Sequence, residues 1–312
     1  MSTRMHIVSA SDDGFAPHFA AMLHSAWLYH PDAAYYLLDA GLTRENIRKL
    51  NDFARARTIS LTIIPCADSL AQRLPSISSR GTFARWLAPD VIGVDRVLYI
   101  DADATVVGPL DELYAVDLEG HPIAAIEDGD AEISQQESDL HGIRFGADYF
   151  NAGVMVMDLQ QWRREDIAAK SFAYAVANPE KLLVQDQSAL NAVLYRRNRK
   201  IDQIWNFFRF RDLYKLANAP RVVHYVGPTK PDVWRASPYK QLYKFHRDQT
   251  PWPLAKLPRG TRWSRKVTIR IGALLGSAGY RRRIDEMKHV DIVRTEVSDP
   301  ALLRAQRIYQ SR

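Results

Sequence analysis

Short apolar runs alternate with amphipathic stretches through the first hundred residues, and this alternation restricts the chain to an α/β architecture. Residues 5–10 (Met-His-Ile-Val-Ser-Ala) read as a buried strand. After the polar Ser11-Asp12-Asp13-Gly14 comes a helix whose apolar positions Phe15, Phe19, Met22, Leu23, Ala26 and Trp27 recur at helical spacing. Pro17 falls in its first turn, where a missing N–H costs nothing. Residues 34–38 form a second strand, Thr43 caps a helix over 44–56, and residues 59–64 form a third strand closed by Pro65. A helix near 82–92 then leads to Arg96-Val97-Leu98-Tyr99-Ile100-Asp101-Ala102-Asp103. Strands separated by helices predict a mainly parallel sheet covered on both faces.

The second half reads as mixed. Residues 121–127, 151–159 and 221–226 have strand character, and helices are expected over 160–178 and 186–195. Beyond Pro251-Trp252-Pro253 the composition changes, which divides the chain into a body, 1–255, and a C-terminal extension, 256–312. Nine Lys or Arg and no acidic residue lie between 256 and 284, and five of each sign follow, so of the net +6 the body keeps −3. A basic tail on an acidic body excludes the usual footprint of a nucleic-acid-binding domain. Cys66 is the only cysteine, so no internal disulfide forms. The chain starts directly on a strand, without a secretory signal, and has no apolar run near the ~20 residues that span a bilayer. A cytoplasmic location is expected.

Chemistry concentrates where strands end. Asp101 and Asp103 close an apolar strand, at the sheet edge where open α/β folds bind ligands, and paired carboxylate oxygens suit a hard divalent cation. Taken alone, an Asp-x-Asp is as readily a turn. Ala10-Ser11-Asp12-Asp13 follows the first strand, at the position for reading a nucleotide base and ribose. Tyr149-Phe150-Asn151-Ala152-Gly153 brings an amide and two small residues to the start of another strand. Gln185-Asp186-Gln187-Ser188 opens a helix, where Asp186 reads either as an N-cap or as a ligand contact. His224 ends the late strand ahead of Gly227-Pro228-Thr229-Lys230-Pro231; in isolation it would be a core histidine, and Lys230 a solvated charge.

In this order, and with Phe-Asn-Ala-Gly and His-x-x-Gly-Pro-x-Lys-Pro among them, these segments resemble glycosyltransferase family 8, over roughly residues 5–252. Its members include bacterial lipopolysaccharide and lipooligosaccharide hexosyltransferases and glycogenin. The resemblance implies a GT-A fold, Rossmann-like with a mainly parallel sheet, and a retaining hexosyltransferase that uses a UDP-sugar donor. The acceptor it implies is an oligosaccharide or lipid-linked glycan in cell-surface polysaccharide synthesis. By the same resemblance Asp101, Asp103 and His224 hold a divalent metal; an imidazole among oxygens favours Mn2+ over Mg2+. Asp12 matches the uracil contact, with Ala10 beside it in the donor site, and Lys230, with Gly227 allowing close backbone approach, matches a diphosphate contact. Arg85 and Asn151 match residues near the donor, beside which Ala102 and Ala152 lie. Gln187 and Asp186 match residues at the transferred sugar. The Gln187 amide is a poor nucleophile, which favours departure and attack on one face of the sugar; Asp186 is the alternative nucleophile.

Four departures from the family pattern fall where donor or acceptor would be selected: Ser188 for aspartate, Gly14 for asparagine, Phe83 for tyrosine, and the extra Asp232 and Val233. In the extension, Trp263, Val267, Ile271, Leu274 and Ala278 align on one helical stripe beside Arg262, Lys266 and Arg270. Such a segment suits an anionic membrane surface, here the inner face of the plasma membrane, although Gly272, Gly276 and Gly279 disfavour a helix. The alternative is a solvated extension packed on the body. Two rival functions remain. A sugar nucleotidyltransferase would want a glycine-rich basic loop after the first strand, where Ser11-Asp12-Asp13-Gly14 is acidic. A catalytically inactive UDP-sugar- or membrane-binding module would have no need of the full set Asp101, Asp103, Gln187, His224 and Lys230.

Overall fold

The computed structural model describes residues 4–77, 81–209, 218–227, 230, 239–254 and 299–312. Three strands open the chain: β1 (His6–Ser11), β2 (Ala34–Asp39) and β3 (Ser60–Pro65). They are followed by β4 (Arg96–Ile100), β5 (Ala104–Val106), β6 (Ile123–Ala125), β7 (Val154–Asp158), β8 (Asn198–Lys200) and β9 (Val222–His224). Seven form one sheet in the order β3-β2-β1-β4-β7-β6-β8, and β5 pairs with β9 in a separate ribbon. The pairs β1–β2, β2–β3, β1–β4 and β6–β8 are parallel, whereas β7 runs antiparallel to both β4 and β6. This mostly parallel sheet agrees with the GT-A arrangement that the family resemblance implies. Chain order reverses between β1 and β4, so the crevice at their carboxyl ends is the natural ligand position.

Both faces of the central strands are buried, whereas β3 and β8 at the edges are partly exposed, and the side chains show why. Along β4, Leu98 and Ile100 enter one core cluster with Phe19, Leu23 and Val156, while Val97 and Tyr99 enter the other with Trp86, Met155 and Trp162. The unbroken apolar run that follows Arg96 is what two covered faces require. The Ala16–Tyr29 helix starts where Asp12 Oδ1 accepts from Phe15 N at 3.0 Å, with Pro17 in its first turn. The Arg44–Ala56 helix is capped by Thr43, whose Oγ1 accepts from Asn46 N at 3.3 Å. Asp13 serves the same corner, accepting from Thr43 N at 2.7 Å and from Asn46 Nδ2 at 2.8 Å.

Several elements differ from expectation. Residues 160–178 form two helices, Leu159–Arg164 and Ile167–Ala177, because Asp166 adopts a left-handed conformation (φ 54°) between them. That break turns Ile167, Ala168 and Phe172 into the second core cluster. Residues 82–92 form a 3-10 helix, Gly81–Leu87, and one α-turn, Ala88–Val91, which contains Pro89. The Asp130-capped helix Ala131–His141 and the polar edge strand β8 had no apolar period to announce them.

The basic segment 256–284 lies outside the described residues. The end of the extension is a helix, Asp299–Gln310, whose Ala301 and Ala305 are buried in the first core cluster. Its Tyr309 ring lies 5.5 Å from His24 and 5.9 Å from Phe245, and Arg312 Nη2 donates to Leu28 O at 2.8 Å. Ending the chain at Ser298 should therefore lower the thermal midpoint by several degrees, at about 2–4 °C per kcal/mol lost. An unchanged midpoint in differential scanning calorimetry would show that this helix adds nothing to the core.

Candidate active site

Two chain reversals bring the candidate residues together. β4 ends at Ile100, just before Asp101; Ala104 N bonds back to Asp101 O at 3.1 Å, and the chain leaves as β5 with buried Ala102 and Asp103 in the turn. β5 then pairs antiparallel with β9 in the register Ala104↔His224, which sets the imidazole beside the turn. His224 Nε2 lies 3.2 Å from Asp103 Oδ1 and 3.7 Å from Asp101 Oδ2. One potential ligand atom from each of the three falls within 4.8 Å of the others.

Gly153 makes room for the ring. A Cβ at this position would overlap His224 Cε1 and stand 2.6 Å from Nδ1 and 3.0 Å from Asp101 Oδ2. The glycine is also paired, since Asp101 N donates to Gly153 O at 2.8 Å. Its lack of a side chain is thus a requirement of the cluster.

Positive charge balances the acids. Lys230 Nζ pairs with Asp103 Oδ2 and donates to Tyr225 O at 2.8 Å. Burial alone would raise the Asp103 carboxyl, but His224 and Lys230 hold it well below the usual carboxylate range. Arg85, almost fully buried, sits between two acids, with Nη2 at 2.8 Å from Asp101 Oδ1 and Nε at 2.9 Å from Asp186 Oδ2. Its Nη1 donates to Ala152 O, and its guanidinium lies 4.4 Å over the Tyr99 ring. Burial opposes its charge, and Asp101 and Asp186 outweigh burial. Asp186 is the first helical residue rather than the cap; burial pushes its carboxyl up to about 6 against the pull of Arg85.

A buried polar layer surrounds these charges. Gln187 Oε1 accepts from Ala152 N at 3.0 Å, and its Nε2 donates to Asp128 Oδ2 at 3.1 Å and to Tyr149 Oη at 3.3 Å. Asn151 Nδ2 donates to the same Asp128 Oδ2 at 2.9 Å. Its Oδ1 accepts from Gly153 N at 3.0 Å and from Asn206 Nδ2 at 2.8 Å.

Asp101, Asp103, His224, Lys230, Arg85 and Asp186 thus form one connected charge cluster, joined through Ala152 to Gln187 and Asn151. Asp12 and Ala10 stand at the carboxyl end of β1, on the strand beside β4. Gly227 is exposed with φ +74°, in the left-handed region that glycine adopts without strain. Asp128 and Asn206 are site residues that sequence reading passed over. Asp128 follows the apolar β6, the same signal that singled out Asp101, whereas Asn206 follows a short 3-10 turn, Gln203–Trp205, with no pattern around it.

The family model for glycosyl transferase family 8 matches residues 6–237. The chain belongs to glycosyl transferase family 8. Among its relatives, the general stress protein A of Bacillus subtilis is 25% identical over 275 residues, covering 80% of this chain and 94% of that protein. The lipopolysaccharide 1,3-galactosyltransferase of Salmonella typhimurium is 28% identical over 274 residues, covering 80% and 79%. The crystal structure of the galactosyltransferase LgtC in complex with donor and acceptor sugar analogs superposes with a TM-score of 0.68. It is 24% identical, and the match covers 83% of this chain and 99% of that one. The likeness to LgtC establishes the fold. Family 8 membership makes this chain a glycosyltransferase, and the Asp101–Asp103–His224 group is its candidate metal site.

In this family 8 protein the substitution Gly153→Ala should force His224 off the two carboxylates. We expect divalent-cation affinity, read by isothermal titration calorimetry, to fall at least about tenfold, as for lost ligand geometry in other sites, while far-UV circular dichroism stays unchanged. Full affinity in Gly153→Ala would show that the imbalance of space around the imidazole is irrelevant to the cation.

Proposed function

We propose that this glycosyltransferase moves a hexose from a UDP-sugar to a glycan acceptor, with retention at the anomeric carbon and with a divalent cation, Mn2+ before Mg2+. The observation that carries the proposal is the meeting of Asp101, Asp103 and His224, drawn from opposite halves of the chain, at the carboxyl end of β4. Two carboxylates and an imidazole suit a borderline cation, and Gly153 keeps their common space clear. What a bound cation supplies is neutralisation of the charge that develops on the departing UDP, so no proton has to be delivered there.

The chain's own groups do the rest. Lys230 sits on Asp103 and lies poised to turn its ammonium to the diphosphate. Gly227 lets the backbone come close there, and Ala10 and Asp12 face the uridine from the end of β1. Arg85 holds Asp101 and Asp186 in fixed orientation, and Asn151 and Ala152 line the sugar side. The Gln187 amide is engaged by Ala152, Asp128 and Tyr149. An amide so held presents a fixed dipole to positive charge on the sugar and is a poor nucleophile, which favours departure and attack on the same face over a covalent intermediate. Asp186, buried and paired with Arg85 Nε at 2.9 Å, is the less apt nucleophile.

A panel of UDP-sugars with Mn2+ tests the donor by thermal shift, and the anomeric configuration of the product tests retention by NMR. Asp103→Asn should abolish metal-dependent UDP affinity, whereas Gln187→Ala should spare it and lower turnover by about 10²-fold. Full activity of Asp103→Asn in the presence of chelator would refute the cation's role.

The acceptor we propose is a lipid-linked glycan at the inner face of the plasma membrane, reached through the basic segment 256–284. Nine Lys or Arg without an acid are worth about 1 kcal/mol each near an anionic surface. Because the Asp299–Gln310 helix belongs to the core, the test reverses charges within 256–284 rather than deleting the extension. Replacing Arg281, Arg282 and Arg283 by Glu should release the protein from phosphatidylserine vesicles in a flotation assay and leave UDP-sugar hydrolysis intact. Unaltered flotation would refute the membrane role.

A further inference from the structure

An imidazole ligates a metal through a nitrogen lone pair, so the hydrogen of neutral His224 must reside on the nitrogen that faces away from the cation. Nε2 faces Asp103 and Asp101; Nδ1 faces Asn206 Oδ1 at 2.9 Å. A side-chain amide offers either an acceptor oxygen or a donor nitrogen, and the imidazole hydrogen settles opposite the oxygen. With Nε2 given to a cation, the hydrogen on Nδ1 therefore depends on which way Asn206 is turned.

That direction is fixed two links further back. Asn151 is held between two groups whose roles cannot reverse. The Asp128 carboxylate only accepts, and takes Asn151 Nδ2 at 2.9 Å. The backbone N–H of Gly153 only donates, and reaches Asn151 Oδ1 at 3.0 Å. Asn151 must then show its oxygen to Asn206, which answers with Nδ2 at 2.8 Å and is left with Oδ1 for His224. Asp128, Asn151, Asn206 and His224 are all buried, so water cannot exchange freely into the chain and rewrite its polarity.

We propose that Asp128, Asn151 and Asn206 are positioning residues that set the hydrogen of His224 on Nδ1 and present Nε2 as the ligand, a role that rests on the cation site proposed above. Asp128 gives the relay its direction, Asn151 carries it, and Asn206 delivers it. The same Asp128 oxygen takes Gln187 Nε2, so one carboxylate orients both the metal-side imidazole and the sugar-side amide.

The experiment reads the tautomer itself. In metal-free protein labelled with 15N-histidine, the Nδ1 shift of His224 should report a hydrogen on Nδ1 bonded to Asn206 Oδ1, whatever Nε2 carries against Asp103. Asn206→Leu removes the acceptor and should abolish the hydrogen-bonded Nδ1–H signal and weaken Mn2+ binding by about 10–100-fold in calorimetry. Asn206→Asp restores an acceptor at Nδ1 and should recover the Nδ1–H tautomer with affinity within a few-fold of the parent, and it carries the test together with the parent protein if Asn206→Leu does not fold. An Nδ1 without a hydrogen in the parent protein, or an unchanged Nδ1–H signal and affinity in Asn206→Leu, overturns the proposal. Parent protein that shows Nδ1–H yet binds no Mn2+ upholds the relay and defeats the cation reading, which keeps the two failures apart.

Discussion

Like charges crowded into a small volume are what the rest of this molecule has to hold in place. Asp101, Asp103 and Asp186 occupy one neighbourhood, where Arg85, Lys230 and His224 stand against them among the described residues. The partners divide unequally, and the carboxyls respond. Asp103 touches both an imidazole and an ammonium and stays far below the usual range, whereas Asp186 shares one guanidinium with Asp101 and rises to about 6. Two acids of one site are thereby driven in opposite directions, a separation of roles that burial alone could not produce.

The sheet supplies the framework for this crowding. β1 and β4 are parallel neighbours, which sets Asp12 and Asp101 at the same edge. β7 returns antiparallel to β4, so the segment before it brings Asn151, Ala152 and Gly153 to that edge as well. The β5–β9 ribbon then carries His224 over the top in register with Ala104. Each residue arrives on a strand end or a tight turn anchored by backbone hydrogen bonds, and elements of that kind hold ligand groups more accurately than free loops.

Much of this was legible from residue order. The apolar run 96–100 before Asp101, the Thr43 cap and the Gly153 neighbourhood all carry local signals, and local signals survive in the fold when they agree with the core. What escaped reading was long-range or polar. β8 is Asn-Arg-Lys and takes its place by pairing with β6, not by any hydrophobic period. Asn206 owes its role to Asn151 and His224, residues 55 and 18 positions away. The single helix expected over 160–178 failed for a local reason, since Asp166 tolerates a left-handed backbone better than most residues and the chain turns there.

Backbone strain sits at the entry to the helix that carries Asp186 and Gln187. Gln185 has φ 50° and ψ −121°, outside the regions comfortable for a residue with a side chain, at a cost of about 1–3 kcal/mol. The neighbours over-determine this geometry. Thr82 Oγ1 donates to Gln185 Oε1 at 3.0 Å, and Val184 N donates to Ser188 Oγ at 2.8 Å. Ser188 Oγ in turn donates to the buried Glu137 Oε1 at 2.6 Å. Burial raises the Glu137 carboxyl, and Ser188 and His141 work against that rise. A segment relaxed at Gln185 would rotate the first helical turn and carry Asp186 away from Arg85 and Gln187 away from Asp128. The strain is therefore the local cost of aiming two adjacent side chains into one charged cluster, and Glu137, on a helix that no sequence period announced, helps to sustain it.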